Sequence, residues 1–335
     1  MSDKMAEVYE TYDMEIYQTA RGRGATILKT DKGIFQLKAL DSGESRLKAE
    51  YQFKEKLFEM GFESIDRCVM NTQEELVTYD RYGNPFVMRS FFEGKECNYQ
   101  NMDDILLAVE NMARLHVACR EVFNVTEGDV HIRSCGDFRK RNTELKRVRN
   151  FIGRQSPKKS FEDMYVRTYD YFFEQAVECE KKLSNDVCEE MKSHLGYCHG
   201  MYNQHSVLIW QREDGKKCVG TINFDKFYVG NQLNDLYHFT RKMVEKNNYS
   251  FDVLCRILKK YGEICPLSET DVEYIYNLYC YPEKFYKLSN QYINGPKNWI
   301  SPKMSEKLEK MIQDESDKKQ LLNMININKL QLKSI

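Results

Sequence analysis

Polar side chains cluster in one short stretch of this chain, around a loop that begins at His199-Gly200. The loop precedes a predicted strand, Val207 to Trp210, and a turn signal at Asp214-Gly215. A second predicted strand, Val219 to Phe224, then leads to Asp225. A polar loop followed by a hairpin is the outline of a phosphoryl-transfer site, where a carboxylate positions a hydroxyl and oxygen ligands hold magnesium. The chemistry therefore depends on the side chains in the loop and near the end of the second strand.

The first 93 residues have patterns typical of strands with one helix, and we expect a five-stranded sheet. Ile16 to Thr19, Ala25 to Thr30 and Ile34 to Ala39 are predicted strands, the last two joined by a turn. From Ser45 to Met60 apolar residues recur at spacings of three and four, which predicts a helix ending at Gly61. Further strands are predicted at Val69 to Asn71, Leu76 to Tyr79 and Phe86 to Arg89.

After residue 93 the chain becomes mostly helical. Asp103 or Asp104 can cap a first helix, and Asp235 stands before an apolar helix that it can cap. Further helices are predicted at 137–150 and 161–183 and through most of 234–330. The periodicity predicts an α+β protein of two lobes, with a β-rich lobe at 1–93 and a helical lobe at 94–335 that contains the hairpin of residues 198–225.

Composition excludes several classes of protein. The 335 residues include 50 Lys and Arg against 51 Asp and Glu, a balance that argues against a nucleic-acid binder. Eleven cysteines without a Cys-x-x-Cys pair are typical of a reducing compartment. The polar N-terminus does not resemble a signal peptide, and no run of eighteen apolar residues predicts a membrane span. We therefore expect folding in a cytoplasm, with no membrane partner.

Several motifs together resemble a known family: the strand at Leu37-Lys38, the helix with Glu50, Met112 to His116, His199-Gly200, Ile222 to Asp225, Asp235-Leu236 with Arg241, Tyr281 to Phe285, Tyr292 to Asn294, and Trp299. The chain resembles the CotS-type spore-coat proteins, a branch of the aminoglycoside phosphotransferase and choline-kinase-like superfamily. The resemblance extends nearly from end to end. It implies a protein-kinase-like bilobal fold, other spore-coat proteins as partners, and a location in the mother-cell cytoplasm and then in the spore coat.

The resemblance also identifies three positions where the family pattern is lost. The pattern is His-Gly-Asp, four residues and Asn, followed later by a metal-binding Asp. In this chain those positions hold Met201, Ser206 and Asn223. A thioether cannot accept a proton, and loss of a general base costs roughly 10² to 10⁴-fold in rate. Ser206 offers only a hydroxyl in place of the amide, and Asn223 lacks the negative charge that binds magnesium, so we expect no metal site.

Asp225 is the candidate to replace the lost charge. If Asn223 and Asp225 lie in one strand they face the same side, separated by about 6.6 Å of strand rise. That separation is too large for Asp225 to replace a residue that coordinates magnesium directly, unless the site rearranges. Asn203 and His205 could position a ligand, but they do not restore the charge.

Lys38 and Glu50 are the nucleotide-side candidates. The resemblance implies that such a Lys and Glu pair holds the nucleotide phosphates. Glu44 and Glu55 remain alternatives for the acid, and a surface Lys beside a surface Glu is the plain interpretation.

Gly22 and Gly24 could let backbone amides approach phosphates, or could form an ordinary turn. His199 is expected to orient its loop. The resemblance adds a bracing role for Asp235 at that loop.

The basic stretch at 139–159 is interpreted as a solvated helix face or as a docking surface for an acidic partner.

Three functions are compatible with these residues. The first is a pseudokinase that acts in coat assembly or binding, with ATP bound weakly or without metal. The second is an active small-molecule or sugar phosphotransferase that uses Asp225 and Asn203 in new roles. The third is a nucleotide sensor. The sequence leaves the substrate and the oligomeric state open.

Overall fold

The computed structural model describes residues 5–125, 132, 138–183, 192–295 and 301–328. Trp299, one of the residues on which the family resemblance rests, lies outside them. The chain divides into two compact units. Unit 1 contains Met1–Asp129 and Gly196–Tyr228, and unit 2 contains Val130–Leu195 and Val229–Ile335. Unit 1 also includes the helix that follows residue 93 and the hairpin, both of which the sequence assigned to the second lobe. The lobe boundary between residues 93 and 94 stays a prediction.

Unit 1 begins with a short helix and an antiparallel sheet. The sheet order is β1-β2-β3-β6-β4, with β5 paired to β6, so it has six strands instead of the expected five. Each of the six predicted strand segments forms one strand of this sheet, so the expected number of five was too low by one. The bounds are α1 Ala6–Tyr9, β1 Ile16–Arg21, β2 Thr26–Thr30, β3 Gly33–Ala39, α2 Glu44–Glu59, β4 Cys68–Val69, β5 Thr78–Tyr79 and β6 Pro85–Ser90.

The register between β3 and β6 places charged residues side by side. Lys38 lies opposite Val87, and Gln36 lies opposite Arg89. Because directly opposed residues and residues two apart share a face of a sheet, Gln36, Lys38 and Arg89 lie on one face. The sheet thus positions two cations together.

The helix α2 has one apolar face. Leu47, Phe53 and Leu57 are buried, at spacings that a helix brings to one side. The helix ends as predicted near Gly61, which has a φ of +87°.

A second sheet in unit 1 consists of β7 Lys95–Glu96, β9 Val207–Gln211 and β10 Lys217–Thr221, in the order β10-β9-β7. The turn at Asp214-Gly215 is confirmed, with Gly215 at a φ of +80°. The second strand is shorter than predicted, so Asn223 and Asp225 lie in a loop and the argument from strand alternation was wrong. Asn223 has a φ of +68°, which Asn tolerates better than most residues.

The helix α3, Met102–Asn124, supports the hairpin. Its N-cap is Asn101, whose side chain accepts hydrogen bonds from the backbone N–H groups of Asp103 and Asp104. The predicted cap, Asp103 or Asp104, was therefore wrong: the N-cap lies two or three residues earlier. An Asn side chain accepts the same hydrogen bonds as an Asp side chain at this position.

Unit 2 is mainly helical, as the periodicity predicts. Asp235 lies in the first turn of α6 and does not cap it. Instead, the side chain of Asn231 accepts a hydrogen bond from the Leu233 N–H at 2.8 Å. The helices are α4 Phe138–Gly153, α5 Ser160–Lys182, α6 Leu233–Lys246, α7 Phe251–Gly262, α8 Glu269–Cys280, α9 Glu283–Asn294, α10 Pro302–Gln313 and α11 Glu315–Ile327. The short strands β8 Leu195–Cys198 and β11 Tyr228–Asn231 were not predicted.

Aromatic side chains of α5 form part of the unit 2 core. Tyr165 and Phe172 both stack on Phe285. On the basic helix α4, Arg139 is exposed, whereas Arg141 pairs with Glu283 at 2.8 Å. At least one cation of the basic stretch therefore serves internal packing.

Among the described helices, none combines the length and the apolar character needed to cross a lipid bilayer.

We expect Gly200→Ala to destabilise the protein more than Gly24→Ala. Both glycines have positive φ, +79° and +67°, so either alanine introduces about 1–2 kcal/mol of backbone strain. A Cβ at Gly200 would also lie 2.1 Å from the carbonyl oxygen of Lys226, whereas nothing lies within 4 Å at Gly24. Such overlap adds about 1–3 kcal/mol. Urea unfolding measures both free energies, and equal losses would contradict this account of the loop.

Candidate functional site

A cavity of about 380 Å³ lies in unit 1. It brings together six of the predicted site residues, which are Gly24, Lys38, Met201, Ser206, Asn223 and Asp225. The other lining residues are Arg23, Ala39, Leu40, Asp41, Ser42, Arg89, Asn203, His205 and Lys226. Among the described residues, Gly22, Glu50 and His199 do not line this cavity, and Asp235 belongs to unit 2, so its bracing role stays a prediction.

His199 connects the polar loop to the end of the hairpin. Its Nε2 lies 3.0 Å from the carbonyl oxygen of Ile222, and the backbone N–H of Met201 donates to its Nδ1 at 3.2 Å. Since Nδ1 accepts a hydrogen bond, Nε2 must be the nitrogen that donates to Ile222, and the imidazole is neutral. The ring is 1% exposed. These bonds fix the loop, as the predicted orienting role requires.

Ser206 is committed to the loop backbone. Its hydroxyl accepts from the Asn203 N–H at 2.9 Å and lies 2.9 Å from the Asn203 carbonyl oxygen, to which it donates. The Asn203 amide donates to the Met201 carbonyl and its oxygen accepts from the His205 N–H. Both side chains are buried. Their polar atoms shape the loop.

The helix α3 is joined to the loop and the hairpin by hydrogen bonds. The Asn111 amide donates to the hydroxyls of Thr221 at 2.7 Å and Tyr202 at 3.2 Å. Tyr202 in turn donates to the Ala108 carbonyl at 2.7 Å. All of these polar atoms belong to buried or nearly buried residues, so their mutual bonding fixes the hairpin on the helix.

The Lys38 ammonium pairs with the carboxylate of Asp225. The expected pairing with Glu50 is thus corrected, and the two alternative acids have other partners: Glu44 accepts from the Tyr79 hydroxyl, and Glu55 pairs with Arg67. The Glu50 carboxylate instead pairs with Lys54 and Arg89. Its side chain is 3% exposed, whereas that of Lys38 is 22% exposed.

Arg89 binds both acids of this region. Its Nε and Nη2 donate to the two carboxylate oxygens of Glu50 at 3.1 and 3.0 Å, and Nη2 also donates to Asp225 at 3.3 Å. A bidentate contact of this kind fixes both position and orientation. Arg89 therefore forms the ion pair with Glu50 that the sequence analysis assigned to Lys38.

Lys54 completes a buried network of charges. It donates to Glu50 at 2.6 Å and to Asp66 at 2.7 Å, and its side chain is 0% exposed. Burial raises the pKa of Glu50, but the charges of Lys54 and Arg89 outweigh burial and lower it to about 2. The Glu50 carboxyl is therefore ionised at neutral pH.

Asp66 connects this network to the site. One carboxylate oxygen accepts from the Gln36 amide at 3.2 Å and from the backbone N–H of Asn223 at 3.1 Å. Arg46 of α2 donates to the backbone carbonyls of Asp225, at 3.0 Å, and of Phe227. The loop at 223–227 is thus held at its backbone from two sides.

The glycine turn is joined to the polar loop through Glu96. The Arg23 Nε donates to one of its oxygens at 3.2 Å, and the His205 Nδ1 lies 2.5 Å from the other. Burial raises the pKa of Glu96, and the hydrogen bonds from His205 and Arg23 outweigh it and hold the pKa below its usual range. Gly24 lines the cavity at this turn.

Sequence reasoning missed Arg89, Lys54, Asp66 and Arg46. One signal was present: Arg89 directly follows the apolar run Phe86 to Met88 in a predicted strand, and a charge that is buried there requires a partner. The partner itself comes from another element, so the pattern could not name it. Within the described segments, no group of three or more His, Cys, Asp or Glu side chains is arranged to hold a metal ion.

Solved structures define the class of fold. An aminoglycoside phosphotransferase from Alicyclobacillus acidocaldarius superposes with a TM-score of 0.79 at 16% identity, covering 99% of this chain and 96% of that chain. Spectinomycin phosphotransferase in complex with ADP and spectinomycin has a TM-score of 0.65 at 11% identity, covering 96% and 99%. An amicoumacin kinase in complex with AMP-PNP, Ca²⁺ and its ligand has a TM-score of 0.60 at 13% identity, covering 96% and 94%. The chain has the kinase-like fold of these proteins.

The family follows from the sequence match. The chain belongs to the family described as "Spore coat putative kinase YutH", which matches residues 5–325. The predicted resemblance to a spore-coat branch of the kinase-like superfamily is confirmed. A search of curated proteins finds no match.

We expect Lys54→Met to destabilise the protein strongly. The substitution removes a buried cation from between Glu50 and Asp66, and breaking a buried ion pair on one side costs about 3–5 kcal/mol. Lys48→Met, at an exposed position of the same helix, should change stability by no more than about 0.5 kcal/mol. Urea unfolding of both variants tests this, and a loss of less than about 1 kcal/mol for Lys54→Met would contradict it.

Glu50 should contribute to acid unfolding. A carboxyl whose pKa is lowered in the folded state stabilises the protein above its unfolded pKa, near 4.5, and this contribution is lost as the pH falls towards about 2. The dependence of unfolding free energy on pH should therefore be less steep between pH 4.5 and 2 in Glu50→Gln than in the wild type. An unchanged slope would show that Glu50 has an ordinary pKa.

Proposed function

We propose that this chain is a pseudokinase of the spore-coat kinase-like family that binds nucleotide phosphates directly, without magnesium, and acts in the coat through binding. The observation that supports it best is the charge of the cavity. Neutral side chains stand at positions 201, 206 and 223, and Asp225 is paired with Lys38 and Arg89. Each part of the proposal rests on these side chains.

Catalysis requires a group that accepts a proton from the acceptor hydroxyl. Met201 holds the position of that group, and it is 53% exposed with a thioether that has no basicity at neutral pH. His199 is nearby in sequence, but both of its ring nitrogens are bonded to the backbone. His199 therefore does not replace the lost base.

Magnesium requires oxygen ligands with negative charge. The Ser206 hydroxyl is buried and bonded within its own loop, and Asn223 is neutral. The described lining residues include two carboxylates, and one of them, Asp225, is engaged by two cations. This donor set does not fit the two magnesium ions of phosphoryl transfer.

The same cavity suits an anion. Four cationic side chains line it, Arg23, Lys38, Arg89 and Lys226, against the carboxylates of Asp41 and Asp225. A positive excess supplied by Lys and Arg can bind a phosphate group through charge-assisted hydrogen bonds. ADP, which is present in the similar spectinomycin phosphotransferase, is the probe that this chemistry favours.

We expect ADP and ATP to raise the melting temperature equally with magnesium and with EDTA, and ATP to remain unhydrolysed. Lys38→Met should weaken binding about 10- to 100-fold, since it removes a charge-assisted hydrogen bond. Lys48→Met, an exposed change of the same charge, is the control. Thermal-shift and calorimetric titrations measure both.

Asn223→Asp sharpens this test. It adds a carboxylate at the cavity, at a positive φ that Asp also tolerates, and should make nucleotide binding stronger with magnesium than with EDTA. Magnesium-dependent binding by the wild type, or turnover of ATP above the buffer rate, would refute the proposal.

The coat role follows from the family name alone. We propose synthesis in the mother-cell cytoplasm, later residence in the coat, and other coat proteins as partners. Location of a fluorescent fusion during sporulation, with and without Lys38→Met, would show whether ligand binding affects deposition.

A second function is an active small-molecule or sugar phosphotransferase. The observation that favours it is Asp225, whose carboxylate lines the cavity and is 30% exposed. This function requires Asp225→Ala to abolish a measurable transfer of phosphate. If the wild type and Asp225→Ala are equally inert with a panel of amines and sugars, the second function fails.

A further inference from the structure

We propose that Lys38 and Arg89 form a phosphate subsite whose present occupant is the carboxylate of Asp225, so that Asp225 competes with the ligand and sets its affinity. The inference rests on the proposed function, because it concerns the same cavity. It differs from the second function in the sign of its prediction for Asp225.

The two cations are placed to share one anion. They lie on the same face of the sheet, in neighbouring strands β3 and β6. Lys38 binds one oxygen of the Asp225 carboxylate, and Arg89 donates to the other at 3.3 Å. Two adjacent oxygens of a phosphate group present a similar pair of acceptors.

Arg89 is fixed independently of Asp225. Its side chain is 3% exposed, and its Nε and Nη2 donate to both oxygens of Glu50. The charge of Glu50 is in turn shared with the buried Lys54. Removal of the Asp225 carboxylate therefore leaves the guanidinium in place, with one Nη2 donor directed at the cavity.

The carboxylate can leave without disturbing the loop. Arg46 binds the backbone carbonyls of Asp225 and Phe227, and Asp66 binds the backbone N–H of Asn223. On the side of the loop, these contacts involve only main-chain atoms. A rotation of the Asp225 side chain, which is 30% exposed, is then sufficient to free the two cations.

Competition of this kind lowers the apparent affinity. If the cations are free of Asp225 in only about one tenth of the molecules, the apparent dissociation constant rises about tenfold. A neutral side chain at 225 removes the competitor. It also removes one negative charge that repels phosphate.

The test is calorimetric titration of ADP in EDTA into the wild type, Asp225→Asn and Asp41→Asn. Asp41 also lines the cavity but is exposed, so Asp41→Asn is a control for the loss of one charge. We expect Asp225→Asn to bind ADP about tenfold more tightly and Asp41→Asn to differ from the wild type by no more than about threefold. Asp225→Glu, which retains the competitor, should bind much as the wild type does.

Thermal melting checks that each variant is folded, and Asp225→Ser is a second neutral variant if Asp225→Asn is not. Equal or weaker ADP binding by the folded neutral variant overturns this inference, while metal-free binding by the wild type leaves the proposed function standing. Absence of metal-free ADP binding in both the wild type and the neutral variant rejects both. Tighter binding by Asp41→Asn to the same extent would assign the effect to net charge and reject the subsite.

Discussion

The buried ion network around Glu50 is the constraint on which unit 1 depends. Glu50 on α2 is held between Lys54 of the same helix and Arg89 of the sheet, and Lys54 also binds Asp66. Charges removed from water are stable only when each one has a partner in good geometry. The network therefore fixes the position of α2 against β6, and through Asp66 it also holds the backbone of the loop that contains Asn223 and Asp225.

This arrangement separates the frame of a phosphotransferase from its chemistry. The loop, the hairpin and the helix beneath them are held by hydrogen bonds of His199, Asn111 and Tyr202, none of which requires a charge at position 201 or 223. Neutral substitutions there leave the fold intact. What changes is the cavity, in which cations exceed carboxylates. The proposed binding of phosphate by direct contact rests on this excess of cations.

Most elements could be predicted from periodicity, and the site only in part. The hairpin turn, the helix before Gly61 and the alternating strands followed from local patterns. The end of β10 did not, because Ile222 and Phe224 are apolar and buried although they lie outside the strand. The prediction that Asn223 and Asp225 share a strand face failed for that reason. The cap of α3 also fell on a neighbouring residue, since Asn and Asp are equivalent acceptors in sequence.

The sequence by itself determined the family, the α+β class and the neutral residues Met201, Ser206 and Asn223 at the positions of the family pattern, because these depend on residue identity and short-range order. Only the tertiary structure decided which charges meet. Lys38 and Asp225 are 187 residues apart, and Arg89 and Asp225 are 136 apart. No local pattern encodes such contacts, since they arise when two strands, one helix and a loop are packed together. The partner of each cation is therefore a property of the fold.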